Sequence, residues 1–130
     1  MRHELKRTLS PQGLAEQFYA QGYQALRGGE SLVAARFFAL QLVVAPKEER
    51  VWVGLGAAHE QLGQQRKAAA VYRLGAARIK DSVWLNIGLG RAARRLGRAQ
   101  EAERAFDRAE QLCGDPALSA VIAEQRESEE

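Results

Sequence analysis

The sequence predicts an all-α chain, a stack of helix–turn–helix repeats without strands, and two observations carry that expectation. The first is a period. Gly22, Gly56 and Gly90 are spaced by 34 residues, as are Gly29, Gly63 and Gly97, then Ala34, Ala68 and Ala102, then Phe38, Tyr72 and Phe106. A fixed spacing of roughly 20–50 residues is the signature of stacked repeats. The second is punctuation, since 130 residues hold twelve glycines and only three prolines, so the breaks between helices fall mainly to glycine.

Each unit follows from its columns. A small residue in the first glycine column lets one helix lie close against its neighbour, and the second glycine column ends that helix and turns the chain. Ala and then an aromatic four residues later form one face of the following helix. The helices are expected at about 12–28, 31–44, 48–62, 65–79, 82–96 and 99–112, with a seventh from about 116 to 127. Ser10-Pro11 starts the first, Asp81-Ser82 the fifth and Asp115-Pro116 the seventh, because a side-chain acceptor precedes the first turn and proline suits the first helical position. Pro46 closes the first unit, and Trp52-x-x-Leu55-Gly56 opens the second. The seventh helix begins Pro116-Ala-Leu-Ser-Ala-Val-Ile-Ala123 and turns polar afterwards, which suits a cap over the open end of the stack. Its end, Glu127-Ser-Glu-Glu130, is expected to fray.

The period and the residue pattern are similar to those of the tetratricopeptide repeat. That resemblance implies a right-handed superhelical stack with a concave groove, in a single domain over 1–130. Its repeats are expected at about 15–48, 49–82 and 83–115, with a capping helix at about 116–127.

Composition excludes several classes of function. Hydrophobic residues make up 46% and charged residues 27%, ordinary for a globular chain and wrong for a disordered one. A single cysteine, Cys113, excludes an intramolecular disulfide and a Cys-based zinc site. The charged N-terminus shows no secretory signal, and no apolar run has the length of a membrane helix, so a cytoplasmic protein without membrane contact is expected. The net charge of +3, with fifteen of nineteen cations Arg, does not by itself indicate nucleic acid.

Chemistry-bearing constellations are missing from the sequence, which predicts no enzyme, no catalytic residue, no metal site and no cofactor. His3 and His59 are far apart in the repeat map, and His59 sits where the repeat packs a Tyr. Gly54-Leu-Gly56 and Gly88-Leu-Gly90 look like nucleotide loops but fall inside helices at the close-packing column, and Cys113 reads as a small buried hydrophobe.

In tetratricopeptide geometry the first helix of each unit lines the groove. The resemblance therefore implies a peptide site formed by Tyr19, Tyr23 and Leu26 in the first unit, Arg50, Val53 and Ala57 in the second, and Trp84, Ile87, Arg91 and Arg94 in the third. Tyr19, Tyr23 and Leu26 share one helical stripe. Leu14, Phe18, Gly22 and Ala25 already supply a packing face, which leaves the two tyrosines for a wet, apolar surface. Trp52 reads as core. Such a groove would be aromatic at one end and strongly basic at the other, where Arg91, Arg94, Arg95 and Arg98 are either solvated or paired with Glu101 and Glu103. Nine cations stand against four acids between Val71 and Arg108, and one against six from Glu110 to Glu130.

Residues 14–112 resemble a narrower family, the class II chaperones of type III secretion systems. The resemblance rests on the Tyr19 and Tyr23 pair, Gly29, Ala34, Phe38, the run Arg50-Val-Trp-Val-Gly-Leu-Gly-Ala57, Gln61-x-Gly63, Ala68, Tyr72-x-x-Gly75-Ala76, and Gly97 with Glu101-Ala102-Glu103. It implies a protein of the bacterial cytoplasm that holds a secreted translocator client by an extended segment with small apolar and proline anchors. Ser31 stands where relatives often have an aromatic. About a dozen residues precede the first repeat, fewer than the family's dimerisation helix needs, which leaves a monomer when free or a weak homodimer paired through another surface. The alternatives are a secretion regulator or a generic scaffold binding another peptide. The dicarboxylate clamp of heat-shock co-chaperones is ruled out by Tyr19, Tyr23, Trp84 and Gly88 at the clamp positions, and aromatic residues are not interleaved with the Arg cluster as nucleic-acid binding requires.

Overall fold

The computed structural model describes residues 10–127. Within them the chain forms seven α-helices and no strand: α1 (Pro11–Arg27), α2 (Ser31–Val44), α3 (Glu49–Gln61), α4 (Gln65–Arg78), α5 (Val83–Arg95), α6 (Ala99–Leu112) and α7 (Pro116–Glu127). Every helix expected from the sequence is present, with ends that agree to within about one residue. His3 and the segment 128–130 lie outside the described residues.

The starts and stops use two different devices. Two of the three first helices are capped by side chains, α1 by Ser10 Oγ, which accepts from the Gly13 amide at 3.0 Å, and α5 by Ser82 Oγ, which accepts from the Leu85 amide at 3.1 Å, whereas α3 has no side-chain cap at Glu48. Asp115 does the same for α7, taking the Ala117 amide at 2.9 Å. The turns inside each unit rely on backbone instead. Gly29, Gly63 and Gly97 adopt φ of +78°, +73° and +76° with nothing within 4 Å of an added Cβ, so glycine is there for its conformation and not for space. The next amide then reaches back to close the helix, from Glu30 to the Ala25 carbonyl at 2.8 Å, with Gln64 to His59 and Arg98 to Ala93 each at 2.9 Å.

The other glycine column does need space. Phe38, Tyr72 and Phe106, each no more than 1% exposed, lie between successive first helices. An added Cβ at Gly22 would stand 2.9 Å from the Phe38 ring and one at Gly54 2.6 Å from it. An added Cβ would stand 2.2 Å from the Tyr72 ring at Gly56 and 2.7 Å from it at Gly88, and 2.7 Å from the Phe106 ring at Gly90. Gly54 and Gly88 are therefore packing glycines. The core follows as three clusters, one about each ring, and burying a side chain of that size contributes about 2–3 kcal/mol. Trp52, 7% exposed, joins the middle cluster and donates its indole N–H to the Pro46 carbonyl at 2.8 Å.

Consecutive helices pack against one another, and first helices also touch across units, α1 on α3, α3 on α5 and α5 on α7. This is the all-α tetratricopeptide stack. The last helix closes it through fully buried Ile122, which packs with Phe106, Ala109 and Ile87. Cys113 is half-buried at the edge of that cluster. Among the described residues no helix is long and apolar enough to cross a membrane, and no cluster of His, Cys, Asp and Glu could hold a metal ion.

Candidate peptide groove

Repeat register brings the first helices together position by position. Glu16, Arg50 and Trp84 share one column of the 34-residue spacing, Tyr19, Val53 and Ile87 a second, and Tyr23, Ala57 and Arg91 a third. Seven of the ten residues expected at the site enclose one open cavity of about 290 Å³: Tyr19, Tyr23, Leu26, Arg50, Val53, Ala57 and Trp84. Val53 and Ala57 form its low apolar floor. The walls are aromatic, with the Tyr19 and Tyr23 ring centroids 5.5 Å apart and Trp84 half exposed. Tyr19 is braced by Phe38 behind it at 6.2 Å, so the rim is tied to the core.

Arg50 fixes one side of the cavity. Its guanidinium carbon lies 3.9 Å from the centre of the Tyr19 ring, and it donates to the Glu16 carboxylate on α1. Arg27 approaches the outer Tyr23 ring at 5.2 Å. Two further lining residues, Glu49 and Gly54, were not expected. Gly54 is legible in retrospect, because a residue without a side chain both admits Phe38 behind the helix and leaves a depression in front.

The third unit departs from expectation. Ile87 is buried, only 2% exposed, because Ile122 of α7 and the Phe106 cluster cover it, so it supports the groove from below and offers no open surface. The basic end is also partly offset from within. Arg91 donates to both oxygens of Glu60, at 2.7 and 2.8 Å, and Arg95 adds a contact at 2.9 Å. The Tyr72 hydroxyl bonds the same carboxylate. Arg91 and Arg95 thus pair with Glu60 on α3 instead of Glu101 and Glu103; Glu101 takes Arg73 and Arg98, and Glu103 takes Arg126. Arg94 is partly buried on α5 and, like Arg91, does not line the cavity.

The charges of this network respond to one another. Burial alone would raise the Glu60 carboxyl, yet the hydrogen bonds and charges of Arg91, with Tyr72 and Arg95, hold it below its ordinary value. Burial and the Glu60 carboxylate push the Tyr72 hydroxyl well above the usual phenol range. Hydrogen bonding to Glu60 raises Arg91 in spite of its desolvation. At Ser31, where relatives often have an aromatic, the buried hydroxyl donates to Gln61 Oε1 at 2.7 Å and seals the position with a polar contact. His59 is partly buried with Nδ1 2.8 Å from Gln64 Oε1, a packed role beside the turn.

No family model matches the chain, and no curated protein matches it by sequence. Solved structures do. PcrH from Pseudomonas aeruginosa is 28% identical over 90% of this chain and 89% of its own, with a TM-score of 0.80. A type III secretion complex from Aeromonas hydrophila aligns at 28% identity over 93% of this chain and 81% of that one, again with a TM-score of 0.80. SycD, the translocator chaperone of Yersinia enterocolitica, shares the fold at a TM-score of 0.82 and 24% identity, covering 95% of this chain and 94% of its own. The glycine columns, the Tyr19 and Tyr23 rim and these alignments converge on one likeness, that of the class II translocator chaperones of type III secretion systems, built from tetratricopeptide repeats.

Proposed function

We propose that this chain is a type III secretion chaperone that holds an extended segment of a translocator or similar secreted client in its groove, in the bacterial cytosol, and keeps it soluble and fit for export. The observation that carries the reading is the convergence of Tyr19, Tyr23, Leu26, Val53, Ala57 and Trp84, drawn from three separate helices, on one open apolar cavity. PcrH has been solved with the chaperone binding regions of PopB and of PopD, in the same fold. The work is done by burial: apolar client side chains leave water at roughly 25 cal/mol per Å², and aromatic walls supply that area at low entropy cost. No reaction is part of this reading. The site includes Arg50 as a wall, with Ile87, Arg91 and Arg94 setting the frame beneath and beside it. The organisation read with it is one domain, its repeats at about 15–48, 49–82 and 83–115 and its cap at about 116–127.

Replacing Tyr19 and Tyr23 together by Ala should abolish co-purification with the translocator while leaving the helical content intact; retained binding would overturn the groove assignment. The same reading includes a weak homodimer, through the outward face of α2, where Leu32, Leu40 and Val43 recur at helical spacing and are 53%, 51% and 83% exposed. Leu40→Glu with Val43→Glu should then leave only monomer in sedimentation at concentrations where the parent self-associates, and a parent that is monomeric throughout would dismiss the dimer.

A further inference from the structure

Gln41, near the end of α2, breaks the pattern of its own column. Its counterparts at the 34-residue spacing are Gly75 and Ala109. The column is small for a reason: a Cβ at Gly75 would lie 3.0 Å from the Trp52 side chain and 3.1 Å from that of Leu85. The first unit instead spends a glutamine there. Its side chain is fully buried, at 0% exposure, and neither carboxamide Oε1 nor Nε2 has a hydrogen-bond partner among the described residues. A buried amide with both ends unpaired destabilises the free protein, so the residue is better suited to an occupied state than to an empty one.

Gln41 lines a cavity of about 400 Å³ at the meeting of the first turn of α1, the end of α2 and the start of α3. Ala15, Val44 and Ala45 give it apolar sides, and Glu16 and Glu48 stand at its margin. Arg50 lines both this cavity and the aromatic one. Its guanidinium, stacked on Tyr19, bonds Glu16 and lies 3.5 Å from Glu48. Arg50 is therefore a shared wall between two adjoining pockets, and both flanking carboxylates are committed to it.

Resting on the groove reading above, we propose that the second cavity is a further station for the same client segment, where Gln41 holds the client's main chain. An extended residue presents its N–H and C=O on one edge. Turned from its buried position into the cavity that it lines, a planar carboxamide with a free donor and a free acceptor matches that edge, Nε2 donating to the client carbonyl and Oε1 accepting from the client amide. The short walls at Ala15, Val44 and Ala45 admit small side chains. An anionic ligand is disfavoured by Glu16 and Glu48, and because both carboxylates are paired with Arg50 a metal ion is left with the neutral oxygen of Gln41. The segment thus runs past Arg50 with its side chains in the aromatic pocket and its backbone on Gln41.

The experiment titrates the full chain with the PopB chaperone binding region that was solved with PcrH. Gln41→Leu removes both polar atoms, so the free variant should melt higher than the parent while binding that peptide about five- to thirty-fold more weakly, the expected effect of one or two lost hydrogen bonds. Shortening the peptide from each end should reveal one end beyond which Gln41→Leu and the parent bind alike. Gln41→Met, similar in length and free of both polar atoms, repeats the measurement should the leucine variant fold poorly. Full affinity in these variants would mean that water alone occupies the cavity, which overturns the proposal. If the Tyr19 and Tyr23 double variant loses the peptide and the Gln41 variants do not, the groove stands and the second station falls. A parent that does not bind the peptide removes both.

Discussion

Glu60 concentrates more of the polar design than any single residue read from the sequence. Its carboxylate joins α3 to α4 through Tyr72 and to α5 through Arg91 and Arg95, and its side chain is 11% exposed. The folded-state pKa lies below the ordinary carboxylate value of 4.5. Its contribution is therefore fully present above that ordinary value and is lost as pH falls through the depressed one. Glu60→Gln should cost about 1–3 kcal/mol at neutral pH in urea unfolding, and should remove part of the stability loss that the parent shows on acidification below about pH 4.5. An unchanged acid profile in the variant would show that other carboxylates carry it. This network was not legible in sequence. Tyr72 was visible as a packing ring and Arg91 as one of a cluster, but the ion pair joins residues 31 apart, beyond the reach of helical i, i+4 reasoning. The packing glycines were legible because their spacing recurs, whereas Gln41 was hidden by the same alignment that explains Gly75.

At the scale of the helix, α7 is more than a lid. Ile122 occupies the register of Gly54 and Gly88, so the last helix takes the place of a fourth first-helix and offers a branched side chain where the earlier ones offer an empty face. Ile122→Ala should destabilise by about 2–4 kcal/mol in chemical denaturation and raise amide exchange across α5 and α6, where Ile87 and Phe106 lose their cover. Local effects confined to α7 would show that the helix packs without sealing the stack. The cap itself could be read from its amphipathic start at Pro116, but its covering of Ile87 could not, because family register alone assigns that position to the groove. Exchange of a side chain's role follows from the neighbour laid over it, and that neighbour belongs to a different unit.

Taken whole, the molecule is a linear array in which each aromatic ring is shared between units, Phe38 between α1 and α3, Tyr72 between α3 and α5. Stability is then distributed along nearest-neighbour contacts, and the groove exists only where successive units are joined. Fold class and helix order were accessible from the 34-residue period because the period is a direct record of stacking, whereas the seven residues that line the cavity were pointed to by the resemblance to the tetratricopeptide repeat. Charge was less so: the basic stretch from Val71 to Arg108 is balanced partly by Glu60, which precedes it in sequence but faces it in space. The two tryptophans give this array an optical consequence. Trp52 is sealed in the core with its indole N–H bonded, and Trp84 stands half exposed at the mouth of the aromatic cavity. Their emission should separate into a blue, quencher-resistant component and a red, acrylamide-sensitive one, and a guest entering the cavity should shield the second alone, so the unlabelled protein reports its own occupancy by fluorescence.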